Sequence, residues 1–117
     1  MIFEQIATGG CQSYLIGCSE MRAAALIDPE VRQIHRYDAL ASQHGLRIQY
    51  VVDTHTHADH FSAARQIGRT LDVPIVMNRV SPTPFADLRL DDGDMLIVGD
   101  LRLHALHTPG HTADSMC

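Results

Sequence analysis

Residues 50–60 read Tyr-Val-Val-Asp-Thr-His-Thr-His-Ala-Asp-His, and this stretch decides how the rest of the chain is interpreted. It begins with an apolar, β-branched run that is typical of a buried strand. It then places three imidazoles and a carboxylate within six residues, directly after the strand. Because open α/β sheets bind ligands at the carboxyl ends of their strands, the stretch predicts an α/β sheet with a polar site at one strand end.

The cluster of His55, His57, Asp59 and His60 has the chemistry of a metal site. Crowded imidazoles depress one another's protonation, and neutral imidazole is the form that binds a divalent cation. Residues two apart in an extended chain face the same way, so His55 and His57 can reach one ion. Asp59 and His60 follow the bend into the next predicted helix and can reach a neighbouring position. The alternative, a set of solvated loop histidines, does not account for this spacing after an apolar strand.

A second cluster, His-Thr-Pro-Gly-His-Thr, occupies residues 107–112. The Pro-Gly pair at 109–110 predicts a turn after a strand, which directs His111 back toward the same sheet edge. His111 is therefore a predicted third imidazole ligand. The other histidines are expected to be packing or surface residues: His35, His44, His104 and His107.

Hydrophobic periodicity along the remaining chain predicts one mixed α/β layer spanning residues 1–117. A strand that follows a helix indicates a crossover and a sheet covered by helices. Gly45 is expected to stop the first helix, and Gly99 is expected to open a two-residue hairpin turn. The predicted strands are 2–6, 13–18, 23–28, 47–54, 74–77, 95–98 and 101–107; the helices are 31–44 and 61–71; residues 78–93 are predicted to be mostly loop.

Composition excludes several partner classes. The net charge is −5 and the nine basic residues are all scattered arginines, which argues against nucleic acid. The chain contains no apolar run that approaches 18 residues, so no membrane span is expected. Three cysteines without a Cys-x-x-Cys pair argue against a disulfide framework and for a cytoplasmic location.

The two histidine motifs together resemble the metallo-β-lactamase superfamily. The likeness extends through the opening Ile-Phe-Glu-Gln and through Ser-Tyr-Leu-Ile-Gly-Cys, Leu-Ile-Asp-Pro and Val-Asp-Thr. Within that superfamily the chain looks most like the persulfide dioxygenases, with the glyoxalase II thioesterases close behind. The resemblance implies a metallo-β-lactamase-like αββα sandwich, of which residues 1–117 form the first half, a mixed β-sheet with covering helices.

The resemblance also implies the metal, either Fe(II) or Zn2+. In the hydrolases a first zinc takes His55, His57 and His111, and a second takes Asp59 and His60. In the dioxygenases one Fe(II) takes His55, His111 and an aspartate further along the chain, which leaves open whether His57 binds metal or only supports it. Asp59 is the candidate catalytic residue.

The chain ends at Cys117, six residues after His111, before the downstream aspartate of the family pattern. We therefore expect a truncated domain with weakened metal binding. Its sheet edge is expected to favour a homo-oligomer or association with a missing C-terminal half.

Three functions remain open from sequence. One is an Fe(II) persulfide dioxygenase that acts on glutathione persulfide, which the opening strands and residues 112–117 favour. Another is a zinc-dependent, glyoxalase II-like hydrolase of a glutathione thioester, which the first histidine motif serves equally well. The third is a non-catalytic metal-binding or assembly-forming fragment.

Overall fold

The computed structural model describes residues 1–7, 12–54, 63–79, 81 and 86–107. Two helices occur among the strands, one on each side of the strand Arg47–Val52 in the chain, which confirms the predicted mixed α/β class. The strands are β1 (Ile2–Ala7), β2 (Gln12–Cys18), β3 (Ala23–Ile27), β4 (Arg47–Val52), β5 (Ile75–Asn78), β6 (Leu88–Leu90), β7 (Met95–Val98) and β8 (Leu101–His104). The helices are α1 (Ile34–Gln43), preceded by a 3-10 turn (Val31–Gln33), and α2 (Ala63–Leu71).

Strands β1 to β6 form one six-stranded sheet in chain order, and β7 and β8 form a separate hairpin. The first three strands pair antiparallel, whereas β3, β4, β5 and β6 pair parallel. Parallel neighbours need crossover connections, and α1 and α2 provide them between β3 and β4 and between β4 and β5. The carboxyl ends of β3, β4 and β5 consequently meet at one edge of the sheet.

Two apolar cores lie on opposite faces of this sheet. Strand β3 shows the division, because Ala24 and Leu26 belong to one core while Ala23 and Ala25 belong to the other. The first core includes Tyr37 of α1 and Ile67 of α2, and the second includes Leu96 and Val98 of β7. The described chain is thus layered as helices, sheet and hairpin.

Two glycines act as predicted. Gly45 follows α1 with a φ of +67°, and its N–H donates to the carbonyl of Ser42, so it ends the helix. Gly99 has a φ of +60° and opens the two-residue turn between Val98 and Leu101. This is the geometry that matches the twist of a hairpin.

The prediction of loop across most of residues 78–93 was wrong at β6. This three-residue strand pairs parallel to β5, with Val76 opposite Leu88 and Asn78 opposite Leu90. Local sequence does not indicate it because Leu-Arg-Leu is short and is followed by a turn sequence. The exposed edge of β5 and the second core, which buries Leu90, supply its stability.

Several predicted boundaries were also too long. Strand β3 ends at Ile27 because Asp28 has a φ of +51°, and β4 ends at Val52. Strand β8 ends at His104, and the first helix begins as a 3-10 turn. No helix in the described part of the chain is long and apolar enough to cross a membrane.

Candidate metal centre

The predicted metal ligands lie outside the described residues: His55, His57, Asp59, His60 and His111. The structure does define the residues from which both ligand segments depart, namely Thr54 after β4 and His107 after β8. Within the described ranges, no three His, Cys, Asp or Glu side chains are grouped as a metal site.

Asp28 holds the departure point of the first ligand segment. Its Oδ1 accepts a hydrogen bond from the backbone N–H of Thr54 at 2.8 Å, and its Oδ2 accepts from the Thr54 hydroxyl at 2.6 Å. Its own N–H donates to the carbonyl of Val52 at 2.8 Å. Asp28, directly after β3, is thereby joined by two hydrogen bonds to Thr54, the residue before His55, and by a third to Val52 at the end of β4.

A buried polar network in turn holds Asp28. The Ser13 hydroxyl donates to the Asp28 carbonyl at 2.9 Å and lies 2.7 Å from the Tyr37 hydroxyl. Because the single Ser13 proton is used on that carbonyl, Tyr37 donates to Ser13 and accepts from the N–H of Glu30 at 2.8 Å. Ser13 and Tyr37 are almost fully buried. Each donor in this series of hydrogen bonds has an acceptor, which makes the network rigid.

Two further polar residues lie at the edge where the carboxyl ends of β4 and β5 meet. Asp53 and Asn78 are both buried, and the N–H of Asp53 donates to the carbonyl of Val76 at 3.0 Å. Buried polar side chains are uncommon without a structural or functional reason. Sequence reasoning gave Asp28, Asp53 and Asn78 no site role. A signal was present for the two aspartates, because each follows an apolar strand directly.

His107 lies at the carboxyl edge of the sheet, three residues beyond the end of β8. The sequence interpretation had placed it on that strand. Its Nδ1 is 3.2 Å from the side-chain nitrogen of Asn78, and its backbone N–H donates to Asp92 Oδ1 at 2.8 Å. The surface interpretation is confirmed for His35 and His104, which are exposed. His44 follows α1, and its Nε2 lies 3.0 Å from Oε1 of Glu4 in β1, the edge strand of the sheet.

The donor set of the two ligand segments fits a divalent metal by its chemistry. Imidazole nitrogens and carboxylate oxygens are the ligands that zinc and non-haem iron take in proteins. Both segments start from residues anchored by charged or buried polar side chains. The fold therefore supplies firm starting points for a site of this type at the carboxyl edge of the sheet.

The sequence profile of the metallo-beta-lactamase superfamily matches residues 6–117. The human mitochondrial persulfide dioxygenase ETHE1 is 39% identical over 101 residues, which cover 86% of this chain and 39% of that protein. A hydroxyacylglutathione hydrolase of Rhodopseudomonas palustris is 33% identical over 104 residues, covering 86% of this chain and 40% of that protein. The chain thus spans about two-fifths of the length of these curated relatives.

Solved structures agree with these matches. The crystal structure of ETHE1 from Myxococcus xanthus superposes with a TM-score of 0.91 at 36% identity, covering 99% of this chain and 52% of that chain. The subclass B3 metallo-beta-lactamase BJP-1 of Bradyrhizobium japonicum shares the fold, with a TM-score of 0.76 at 20% identity. The chain therefore belongs to the metallo-beta-lactamase superfamily and has the fold of its N-terminal part.

Proposed function

We propose that this chain is the metal-binding N-terminal half of an Fe(II) persulfide dioxygenase that acts on glutathione persulfide. The observation that carries the proposal is its likeness to ETHE1 from Myxococcus xanthus, at 36% identity over nearly the whole chain. The 39% identity to the human persulfide dioxygenase supports the same assignment.

In this proposal His55 and His111 bind the iron, together with the aspartate that follows further along in the family pattern. His57, Asp59 and His60 are the other residues of the predicted site. Bound Fe(II) would supply open coordination positions for O2 and for the persulfide sulfur. The described residues contribute position: Asp28 holds Thr54, and Asn78 contacts His107, at the starts of the two ligand segments. The reaction would convert glutathione persulfide, O2 and water to glutathione, sulfite and protons.

A glyoxalase II-like zinc hydrolase is the second candidate. The observation in its favour is the 33% identity to the hydroxyacylglutathione hydrolase of Rhodopseudomonas palustris. The same two motifs would then hold zinc, which lowers the pKa of bound water for attack on a glutathione thioester.

Metal content and product analysis separate the candidates. The purified chain is loaded anaerobically with Fe(II), or separately with Zn2+, and dialysed. Bound metal is measured by mass spectrometry, sulfite is measured with glutathione persulfide and O2, and thiol release is measured with S-lactoylglutathione. Retained iron with sulfite formation supports the dioxygenase. Thioester hydrolysis with zinc and no sulfite refutes it in favour of the hydrolase, and retained metal without either reaction indicates a non-catalytic metal-binding fragment.

Matched variants test the ligands. His55→Ala and His111→Ala are expected to abolish metal retention, because each removes a proposed ligand. His35→Ala is the control, since His35 is exposed on α1. Equal retention by all three variants contradicts the ligand assignment.

Self-association or association with a C-terminal half belongs to the same proposal. Strands β1 and β6 are the edges of the sheet, and several large apolar side chains are exposed, among them Phe3, Met95, Ile97 and Leu106. Exposed edges and apolar surface favour association. Light scattering of the isolated chain is expected to give a mass above that of the monomer, and a monodisperse monomer contradicts this.

A further inference from the structure

Asn78 is the last residue of β5, the strand next to β4, after which the first ligand segment begins. Strands β4 and β5 pair with Val52 opposite Val76, and the N–H of Asp53 donates to the carbonyl of Val76, so the carboxyl ends of the two strands lie next to each other. Side chains alternate along a strand, and Val76 belongs to the core shared with the hairpin. Asn78 therefore faces the hairpin layer, and there it meets His107 at 3.2 Å.

The contact specifies which ring nitrogen of His107 carries the proton. The side-chain nitrogen of Asn78 is a donor only, so Nδ1 of His107 has to accept and the proton lies on Nε2. The backbone N–H of the same residue donates to Asp92 Oδ1 at 2.8 Å. The ring of His107 is thus bound to β5 and its main chain to the turn between β6 and β7, four residues before His111.

We propose that Asn78 is a positioning residue for the metal centre: it holds His107 as the Nε2–H tautomer and thereby fixes the residue after which the segment with His111 begins. The inference rests on the proposed function only in that the two segments bind metal. Groups that orient metal ligands change metal affinity by about 10- to 100-fold when they are removed. Asn78 is suited to this role because it is buried at the carboxyl end of β5.

The tautomer is tested first, on the metal-free wild-type chain labelled with 15N-histidine. Long-range 1H–15N correlation spectra distinguish Nε2–H from Nδ1–H imidazole, and the His107 signal is identified by its loss in His107→Gln. The expected result is Nε2–H. An Nδ1–H ring in the wild type overturns the proposal, and this measurement needs no variant of Asn78 to fold.

Substitution then tests the effect on the metal centre. Asn78→Asp replaces the donor with an acceptor, so the His107 proton is expected to move to Nδ1. Zn2+ affinity, measured by competition with a chromophoric chelator, is expected to fall by about 10- to 100-fold in Asn78→Asp and in His107→Ala. His44→Gln is the control with unchanged affinity, because His44 contacts Glu4 at the far strand β1. Circular dichroism identifies any variant that has lost the fold. If Asn78→Asp is such a variant, the Zn2+ affinity of His107→Ala, at a half-buried position, is the measurement that decides.

The outcomes separate this inference from the proposed function. A wild-type chain that binds no Zn2+ and no Fe(II) overturns the proposed function. A wild-type chain that binds Zn2+ with an affinity that Asn78→Asp and His107→Ala leave unchanged overturns the positioning role alone.

Discussion

Replacing Asp28 with alanine removes the carboxylate that joins β3 to Thr54. Two hydrogen bonds are lost, from the Thr54 N–H at 2.8 Å and from its hydroxyl at 2.6 Å. Hydrogen bonds to a charged group contribute about 1.5–3 kcal/mol each, and since both are half-buried the lower value gives about 3 kcal/mol for the pair. Alanine must also adopt the φ of +51° found at this position, which costs about 1 kcal/mol more. The expected loss of about 4 kcal/mol is a large share of the stability of a small domain, about 5–15 kcal/mol.

Two further variants separate the contribution of the hydrogen bonds from that of the backbone conformation. Asp28→Gly removes the carboxylate but adopts a positive φ without strain, so it is expected to lose about 3 kcal/mol of unfolding free energy. Asp28→Asn tolerates the backbone conformation and keeps an oxygen that accepts from the Thr54 N–H. It is expected to lose about 1 kcal/mol, the difference between charged and neutral hydrogen bonds.

The assay is urea unfolding of the metal-free chain in chelator, followed by circular dichroism. With a dependence of about 1.5 kcal/mol per molar urea, the urea midpoint is expected to fall by roughly 2.7 M for alanine, 2 M for glycine and 0.7 M for asparagine. Midpoints equal to the wild type in all three variants would refute the role of the carboxylate. Equal midpoints for alanine and glycine would refute the contribution of the backbone conformation.

Two other substitutions test the network and the packing beneath the site. Tyr37→Phe is expected to lose about 2 kcal/mol of unfolding free energy, because the N–H of Glu30 and the hydroxyl of Ser13 lose a buried partner. The control is Tyr50→Phe at a half-buried position, which is expected to change the unfolding free energy little. Equal losses in the two variants contradict the contribution of the hydrogen-bond network to stability. Gly68→Ala is expected to destabilise by about 1–3 kcal/mol despite the better helix propensity of alanine, because its Cβ would lie 2.9 Å from Ile75 Cγ1. The exposed Gln66→Ala on the same helix is expected to change the melting temperature little, and a stabilised Gly68→Ala contradicts the close packing of α2 on β5.

The α/β class, the hairpin at Gly99 and the end of α1 at Gly45 could be predicted from sequence because each depends on local chemistry. Apolar runs predict buried strands wherever they lie, and a glycine at a turn provides its own positive φ. The family likewise followed from two short motifs, and its match over residues 6–117 confirms it. The metal ligands His55, His57, Asp59, His60 and His111 remain predictions from those motifs.

The contacts that anchor the candidate centre were decided only by the tertiary structure. Asp28 reaches Thr54 across 26 positions of sequence, and Asn78 reaches His107 across 29. The first contact requires β3 and β4 to lie side by side in parallel, and the second requires the hairpin to pack on the face of the sheet that includes Val76 of β5. Strand β6 depends in the same way on the free edge of β5. The sequence alone predicted the metal ligands, whereas the order of the strands decided which residues contact Thr54 and His107 at the starts of the two ligand segments, because hydrogen bonds between distant residues form only after the sheet has brought them together.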